Sequence, residues 1–150
     1  MNLLLSFNGR ISRSLYWFGF AAVVAVFGLA RYVLKYHLGY EGVGNREALP
    51  VTFVSTLAAI PLTALSVKRF NDRNRPSWIG YVVGFSIALF IAAPYFGYLV
   101  DLGQYSALEH AVFWPLCALS LFALIDNGLL PGTTGPNRFG PDPIARDSRN

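Results

Sequence analysis

Four long apolar segments, separated by short charged ones, set the strongest limit on what this chain can fold into. They cover residues 15–34, 49–67, 78–100 and 107–130. Each is close to the roughly 20 residues that a helix needs to cross the hydrocarbon core of a bilayer. Because backbone groups in lipid must be hydrogen-bonded within the protein, each segment is predicted to be a transmembrane helix. The strict alternation of short membrane strands is not seen.

The composition also favours a lipid environment. Hydrophobic residues make up 54% of the 150 residues and charged residues only 13%, whereas soluble domains are near a quarter charged. A large core cannot explain this deficit, because a chain this short keeps much of its surface exposed. The first segment is too long for the apolar part of a signal peptide, so we expect an uncleaved anchor.

Positive charges are distributed unevenly between the segments that flank the helices. Nine of the twelve lysines and arginines lie before the first helix, in the second loop and in the tail, 131–150: Arg10, Arg13, Lys68, Arg69, Arg73, Arg75, Arg138, Arg146 and Arg149. The other three are Arg31, Lys35 and Arg46. The positive-inside rule therefore predicts that both termini are cytoplasmic. Since short loops join antiparallel neighbours, we predict an all-α, up-down four-helix bundle that forms one domain over residues 1–150.

Polar residues form three clusters on the predicted cytoplasmic side, at residues 7–17, 68–78 and 126–143. In a compact bundle these clusters lie close together. The candidate binding residues are Arg10, Arg13, Trp17, Lys68, Arg69, Asp72, Trp78, Asp126, Asn137 and Arg138. The two aspartates are candidate partners for Arg10, Arg13 and Arg69. Two interpretations stay open: a structural ion-pair network that satisfies polar groups beside the membrane, and a binding site for an anionic lipid, a phosphorylated ligand or a protein partner.

These clusters also carry a resemblance to a known family. The motifs are Phe7-x-Gly-Arg-x-x-Arg-x-x-Tyr-Trp17, Lys68-Arg-Phe-x-Asp72 with Ser77-Trp78, and Gly135-x-Asn-x-Phe-Gly-x-Asp-Pro143. In this order, on a pattern of four helices, they resemble the bacterial inner-membrane family catalogued as domain of unknown function 805. The resemblance implies a multi-pass protein of the bacterial inner membrane. It supplies no catalytic residues, because the family has no established activity.

Prolines and glycines inside the apolar segments leave alternatives open. Pro61, Pro94 and Pro115 either mark a hinge or cavity or simply shape the bundle. Gly80 and Gly84 have the G-x-x-x-G spacing that lets two helices approach closely. Their partner is either another helix of the same chain or a second copy.

Catalytic and metal sites have little support in the sequence, and no cofactor is predicted. Cys117 is alone, and His37 and His110 lack matched acids on the predicted outer side. The glycine-rich stretch from Gly132 to Gly135 lacks the Gly-Lys-Ser/Thr ending of a P-loop. Nucleic acid is not an expected partner, because the basic residues flank membrane segments and so serve orientation.

Three functional hypotheses remain from different classes. The first is a non-enzymatic accessory or scaffold protein whose cytoplasmic cluster binds membrane lipid, a protein partner or a second copy of the chain. The alternative is a small oligomeric transporter or lipid-flipping protein, although almost no ionisable residue lies at mid-membrane. A membrane enzyme that acts on a phosphorylated lipid is the third, and it rests on the basic cluster alone.

Overall fold

The computed structural model describes residues 3–44 and 46–144, and all regular structure within them is helical. The helices are α1, Arg13–Tyr32; α2, Leu49–Leu57; α3, Ala59–Asp72; α4, Trp78–Ala92; and α5, Ala107–Leu124. π-Helical turns, Val33–His37 and Ile125–Leu129, extend α1 and α5, and a 3₁₀ turn, Ala93–Phe96, extends α4. A separate 3₁₀ turn, Leu102–Gln104, precedes α5. The all-α prediction is confirmed for the described residues.

Joined end to end, these elements make four helices that are long and apolar enough to cross a membrane: Arg13–His37, Leu49–Asp72, Trp78–Phe96 and Ala107–Leu129. Two of their ends differ by four or more residues from the predicted ones. The second helix continues past residue 67 to Asp72, because the polar residues of its last turns find buried partners. The third ends at Phe96 rather than at residue 100. There Pro94 has no N–H to donate, and Gly97 takes the left-handed conformation that ends helices, with φ +83°.

The second membrane-length helix is interrupted at Ala58, between α2 and α3. Pro61 follows this break closely. A proline cannot donate to the carbonyl four residues before it, and its ring crowds that carbonyl, which here belongs to Leu57. Pro115, by contrast, lies within α5, which continues through it. Pro61 therefore accompanies a break in its helix, whereas Pro115 leaves its helix uninterrupted.

α3 is the central helix, and its tightest neighbour is α4. A Cβ atom at Gly80 would lie only 2.7 Å from the Cα of Val67, and one at Gly84 only 1.8 Å from Thr63 Oγ1. Such distances leave room for glycine alone. The G-x-x-x-G pair therefore makes a close contact between two helices of the same chain.

Two buried clusters hold the outer helices to α3 and α4. One contains Ile11, Tyr16, Val23, Ala58 and Leu65, and the other Phe70, Val83 and Ala123. α1 packs on α2 and α3 but meets the last membrane-length helix mainly at its π-helical turn, Ile125–Leu129. A cleft consequently separates the middle of α1 from α5.

The charged residues gather at two opposite ends of the bundle. We call the end formed by residues 7–17, 68–78 and 126–143 the basic end. At the opposite end Arg31 forms an ion pair with Glu47, donating from Nη1 to Glu47 Oε2 at 3.0 Å and to Ser55 Oγ at 3.3 Å. Arg31, which lies within the first membrane-length helix, is thus paired with a carboxylate from the loop before α2.

Candidate functional site

The basic end is organised around Arg10, which lies just before α1 and is buried. Its Nε donates to Asp72 Oδ1 at 3.0 Å. Nη1 donates to the carbonyls of Gly135 at 2.7 Å and Gly140 at 3.2 Å. Nη2 donates to the carbonyl of Thr133 at 2.6 Å and to its Oγ1 at 3.3 Å. Since a guanidinium has five N–H donors, every donor of Arg10 has an acceptor within the chain.

Arg69, on the last turn of α3, is fully buried beside the same carboxylate. Its Nη1 pairs with Asp72 Oδ2, three residues further along the helix. Nε donates to the carbonyl of Asn127 and Nη2 to that of Leu130, both at 2.7 Å, and Nη1 reaches the carbonyl of Ile11 at 3.4 Å. One side chain therefore ties α3 to the start of α1 and to the end of the last helix.

Asp72 joins the two arginines, because each of its carboxylate oxygens accepts from one of them. Its own carbonyl accepts from the tail, from Thr133 N at 2.9 Å and from Thr133 Oγ1 at 2.8 Å. A Cβ atom at Gly132 would lie 1.8 Å from Asp72 Oδ2, so glycine alone lets the chain pass. A buried carboxylate is costly unless paired and hydrogen-bonded, and here both conditions are met.

Asn71 and Asn137 extend the network toward both ends of the chain. Asn71 Nδ2 donates to the carbonyl of Gly9 at 3.2 Å, while its Oδ1 accepts from Ser77 Oγ at 2.7 Å. Asn137 Nδ2 donates to the Asn71 carbonyl at 2.9 Å. The backbones of Asn137 and Gly140 exchange two hydrogen bonds of 3.0 Å. We call this assembly of Arg10, Arg69, Asn71, Asp72, Thr133 and Asn137, with the carbonyls that they bond, the tail clamp.

Two further candidates, Lys68 and Trp17, fix neighbouring segments by donating hydrogen bonds to backbone carbonyls. The buried Lys68 donates from Nζ to the Leu3 carbonyl at 2.7 Å, which holds the N-terminal segment. Trp17 donates from Nε1 to the Gly128 carbonyl at 3.0 Å. Its indole fills the space where a Cβ of Gly128 would stand, 2.5 Å away.

Arg13 is the candidate arginine with the greatest freedom. It is exposed, and it donates from Nη1 to the carbonyl of Leu129 at 3.1 Å. No carboxylate pairs with it among residues 3–44 and 46–144. Its positive charge is therefore directed to the surroundings of the bundle.

Asp126 has partners other than the predicted ones. Its Oδ1 lies 2.8 Å from Arg75 Nη2 and its Oδ2 3.1 Å from Arg73 Nε, the second as an ion pair rather than an aligned hydrogen bond. Asp126 is buried in the π-helical turn that faces the loop after α3. Of the two predicted aspartates, Asp72 on α3 is the one that pairs with Arg10 and Arg69.

Trp78 and Arg138 lie outside the buried network. Trp78 is 63% exposed at the start of α4. Arg138 is exposed, stacks over the ring of Phe139 at 4.7 Å and donates to the carbonyl of Asn74 at 3.1 Å. They contribute to the surface of the basic end. Arg146 and Arg149, counted with the basic set in the sequence, lie outside the described residues.

The sequence prediction omitted several members of the site. Arg73, Arg75 and Asn71 lie inside the second polar cluster but are not among the predicted binding residues, although the run of charged and amide side chains marks them. Thr133 and the tail carbonyls carried no signal of their own. A backbone oxygen looks the same in every sequence, so its use by Arg10 emerges only from the fold.

One family model and two relatives match most of this chain. The model of the family described as "protein of unknown function (DUF805)" matches residues 4–141. The chain belongs to the DUF805 family. "Inner membrane protein YhaH" of Escherichia coli (strain K12) is 27% identical over 139 residues, covering 93% of this chain and 88% of the relative. "Uncharacterized protein YiiR" of the same strain is 28% identical over 144 residues, covering 93% and 86%. No solved structure matches significantly.

Membership in the DUF805 family confirms the resemblance seen in the three motifs. The family has no established function, and one of its members is named an inner membrane protein. With four helices able to cross a membrane, these findings are consistent with a multi-pass location in the inner membrane. All three motifs of this DUF805 chain contribute residues to the tail clamp.

The chemistry available at the basic end is that of fixed charges. Asp72 and Asp126, both buried, are each paired with two arginines. Carboxylates that are buried and occupied by two arginines each have little access to a substrate. Among the described residues no group of three or more His, Cys, Asp or Glu side chains is arranged to hold a metal ion. The arrangement is suited to holding chain segments together and to presenting a positively charged surface.

Proposed function

We propose that this protein is a non-enzymatic accessory or scaffold protein of the inner membrane. It holds a rigid, positively charged surface at the cytoplasmic face for a protein partner. The observation that carries the proposal is the saturation of Arg10, whose five donors all bond within the chain. An arginine used in this way fixes structure and leaves no donor for a ligand. The clamp is therefore the support, and the binding surface lies around it.

The cytoplasmic orientation rests on the charge distribution. Nine lysines and arginines belong to the segments of the basic end and the two termini, against three on the other side. Loops rich in Lys and Arg remain on the cytoplasmic side during insertion. Both termini would then be cytoplasmic, and the clamped tail would lie at the membrane surface on that side.

The proposed partner surface consists of Asn74, Arg75, Trp78 and Arg138, which lie around the clamp. Trp and Arg are the residue types that most often dominate binding energy in protein interfaces. The surface is also pre-organised, because Arg138 is tied to Asn74 and Arg75 to Asp126. Pre-organisation reduces the entropy lost on binding. An acidic partner surface is the expected complement.

A photo-crosslinking amino acid at the exposed Thr134 tests this function in intact cells. We expect one discrete protein adduct, which Arg138→Glu abolishes by reversing the charge. The matched control is Arg46→Glu, another exposed arginine at the opposite end of the bundle, and it should keep the adduct. Adducts to lipid alone, or a protein adduct that Arg138→Glu leaves unchanged, would contradict the proposal.

The oligomeric transporter or lipid-flipping alternative loses part of its motivation. Gly80 and Gly84 suggested a helix–helix contact between copies, but both pack against α3 of the same chain. The break near Pro61 also suggested a hinge or cavity, but the helices on both sides of it, α2 and α3, pack on α4. No other contact among the described residues favours this alternative over a scaffold.

A further inference from the structure

The middle of α1 is separated from α5 by a cleft of about 450 Å³. Its floor is buried and comes from α3 and α4, with Ser66 and Val83 each less than one-tenth exposed. Its walls are apolar side chains of the two outer helices, and those at the rim, Val24 and Leu121, are more than half exposed. The cleft thus opens sideways, toward the region that lipid chains occupy.

One face of α1 connects this cleft to a positive charge. Arg13, Trp17, Phe20 and Val24 recur at spacings of four, three and four residues, which places them along one stripe of the helix. Phe20 and Val24 line the cleft. Trp17 packs edge-on against Phe20, with ring centroids 5.8 Å apart, and donates to the Gly128 carbonyl. Arg13 lies one turn beyond Trp17, at the start of α1 and toward the basic end.

The donors of Arg13 favour an anionic ligand. Only Nη1 bonds within the described chain, to the Leu129 carbonyl, and the remaining donors have no acceptor there. Arg10 and Arg69, the neighbouring arginines, are engaged in the tail clamp. A guanidinium with free donors binds a phosphate bidentately, and basic pockets between membrane helices are typical sites for anionic lipid headgroups.

We propose that the cleft between α1 and α5 binds one anionic glycerophospholipid. An acyl chain lies along Phe20, Val24 and Leu121, the glycerol region lies beside Trp17, and Arg13 binds the phosphate. The lipid fills a gap that no side chain of the described chain occupies and joins the two outer helices. This lipid site is separate from the partner surface around Arg138 and does not depend on it.

Native mass spectrometry of the full chain, released from bilayers that contain phosphatidylglycerol and phosphatidylcholine with identical chains, tests the site. We expect one retained phosphatidylglycerol per chain. Arg13→Gln should lower its retention by roughly tenfold or more, since the charge-assisted bonds are lost. Arg13→Lys keeps the charge and should restore most of it. Ser120→Phe should block the cleft, whereas Ala118→Phe, on the same helix and outside the cleft, should not.

Several outcomes would overturn the proposal. One is that the wild-type protein retains no lipid, and another is that it retains phosphatidylcholine as well as phosphatidylglycerol. A third is that Arg13→Gln and Ser120→Phe, both folded by circular dichroism, retain as much phosphatidylglycerol as the wild-type protein. Arg138→Glu should retain the lipid. If no protein adduct forms but the lipid is retained, the partner surface is wrong and the lipid site stands. If the adduct forms but no lipid is retained, the lipid site is wrong and the partner surface stands.

Discussion

Arg10 and Asp72 are 62 residues apart in the sequence, yet Arg10 Nε lies 3.0 Å from Asp72 Oδ1, with both side chains almost completely buried. Neither residue belongs to the apolar part of a membrane helix. The pair brings the segment before α1 against the last turn of α3, and the remaining donors of Arg10 bring the tail over both. Three motifs that are distant along the chain thereby become one structure.

Replacing the carboxylate should have a large effect on stability. Asp72→Asn leaves Arg10 and Arg69 buried without their counter-charge, and breaking a buried pair in this way costs about 3–5 kcal/mol. We expect that loss in the free energy of unfolding, measured by denaturant titration in detergent micelles. Asp101→Asn is the control, because Asp101 is exposed and an asparagine also caps the turn at Gly103. Equal stability of the two variants would show that the buried pair is not needed.

Shortening the hydrogen-bonding reach of Arg10 should release the tail and leave the helices in place. A lysine keeps the charge but has three donors on one atom, so it cannot bond Asp72 and the tail carbonyls together. Arg10→Lys is expected to lose about 1.5–3 kcal/mol of tail docking, because bonds to a charged group are lost.

Limited trypsin digestion measures this release at Arg138. Cleavage there should accelerate by roughly tenfold or more, as a 1.4 kcal/mol change in a local opening equilibrium corresponds to a factor of ten. Circular dichroism should remain unchanged. The control is Arg13→Lys, because Arg13 is also an arginine but is exposed. This variant should be cleaved at Arg138 as slowly as the wild-type protein. Faster cleavage of the control would argue against a special role for Arg10.

The α3–α4 contact should not accept a methyl group. Gly80→Ala places a Cβ against the backbone of Val67, which cannot move aside as a flexible side chain can. Overpacking of this kind costs about 1–3 kcal/mol. Gly28→Ala, also inside a membrane-length helix but with no atom within 4 Å of its added Cβ, should be neutral or slightly stabilising. Thermal unfolding of both variants in detergent compares them directly.

The proposed orientation predicts which sites an impermeant thiol reagent reaches from outside. Cys117 is first replaced by serine, and single cysteines are then placed at Val43, which is 87% exposed, and at Thr134. The Val43 site should label in spheroplasts, and the Thr134 site only after the membrane is permeabilised. The opposite pattern would place the basic end outside and would remove the cytoplasmic partner surface from consideration.

Much of the architecture follows from residue type alone. Segments of about 20 apolar residues can cross a bilayer only as helices, so their number and order are readable in the sequence. The convergence of the three polar motifs also follows, since helices joined by short loops return to the same side. The glycine spacing at Gly80 and Gly84 likewise indicated a close helix contact.

Which charged residues pair with each other could not be predicted from the sequence. Asp72 and Asp126 have the same chemistry and lie on the same side, and only the rotation of α3 brings Asp72 to Arg10. Trp78 belongs to the same motif as Asp72 but faces outward, because it begins a new helix with its own direction. Two of the tail carbonyls that bond Arg10 belong to glycines with positive φ, +74° at Gly135 and +133° at Gly140. A glycine in the sequence allows such a conformation but does not predict it.

A double-mutant cycle on Arg10 and Asp72 tests the tail clamp most directly. The free energies of unfolding of Arg10→Gln, Asp72→Asn and the double variant are measured in the same detergent. If the two side chains stabilise the fold through each other, the double variant should lose less than the sum of the single losses. The difference should be about 0.5–3 kcal/mol, the range for residues in direct contact. Additive losses would mean that the pair is not coupled, and the clamp would not be the element that orders the basic end.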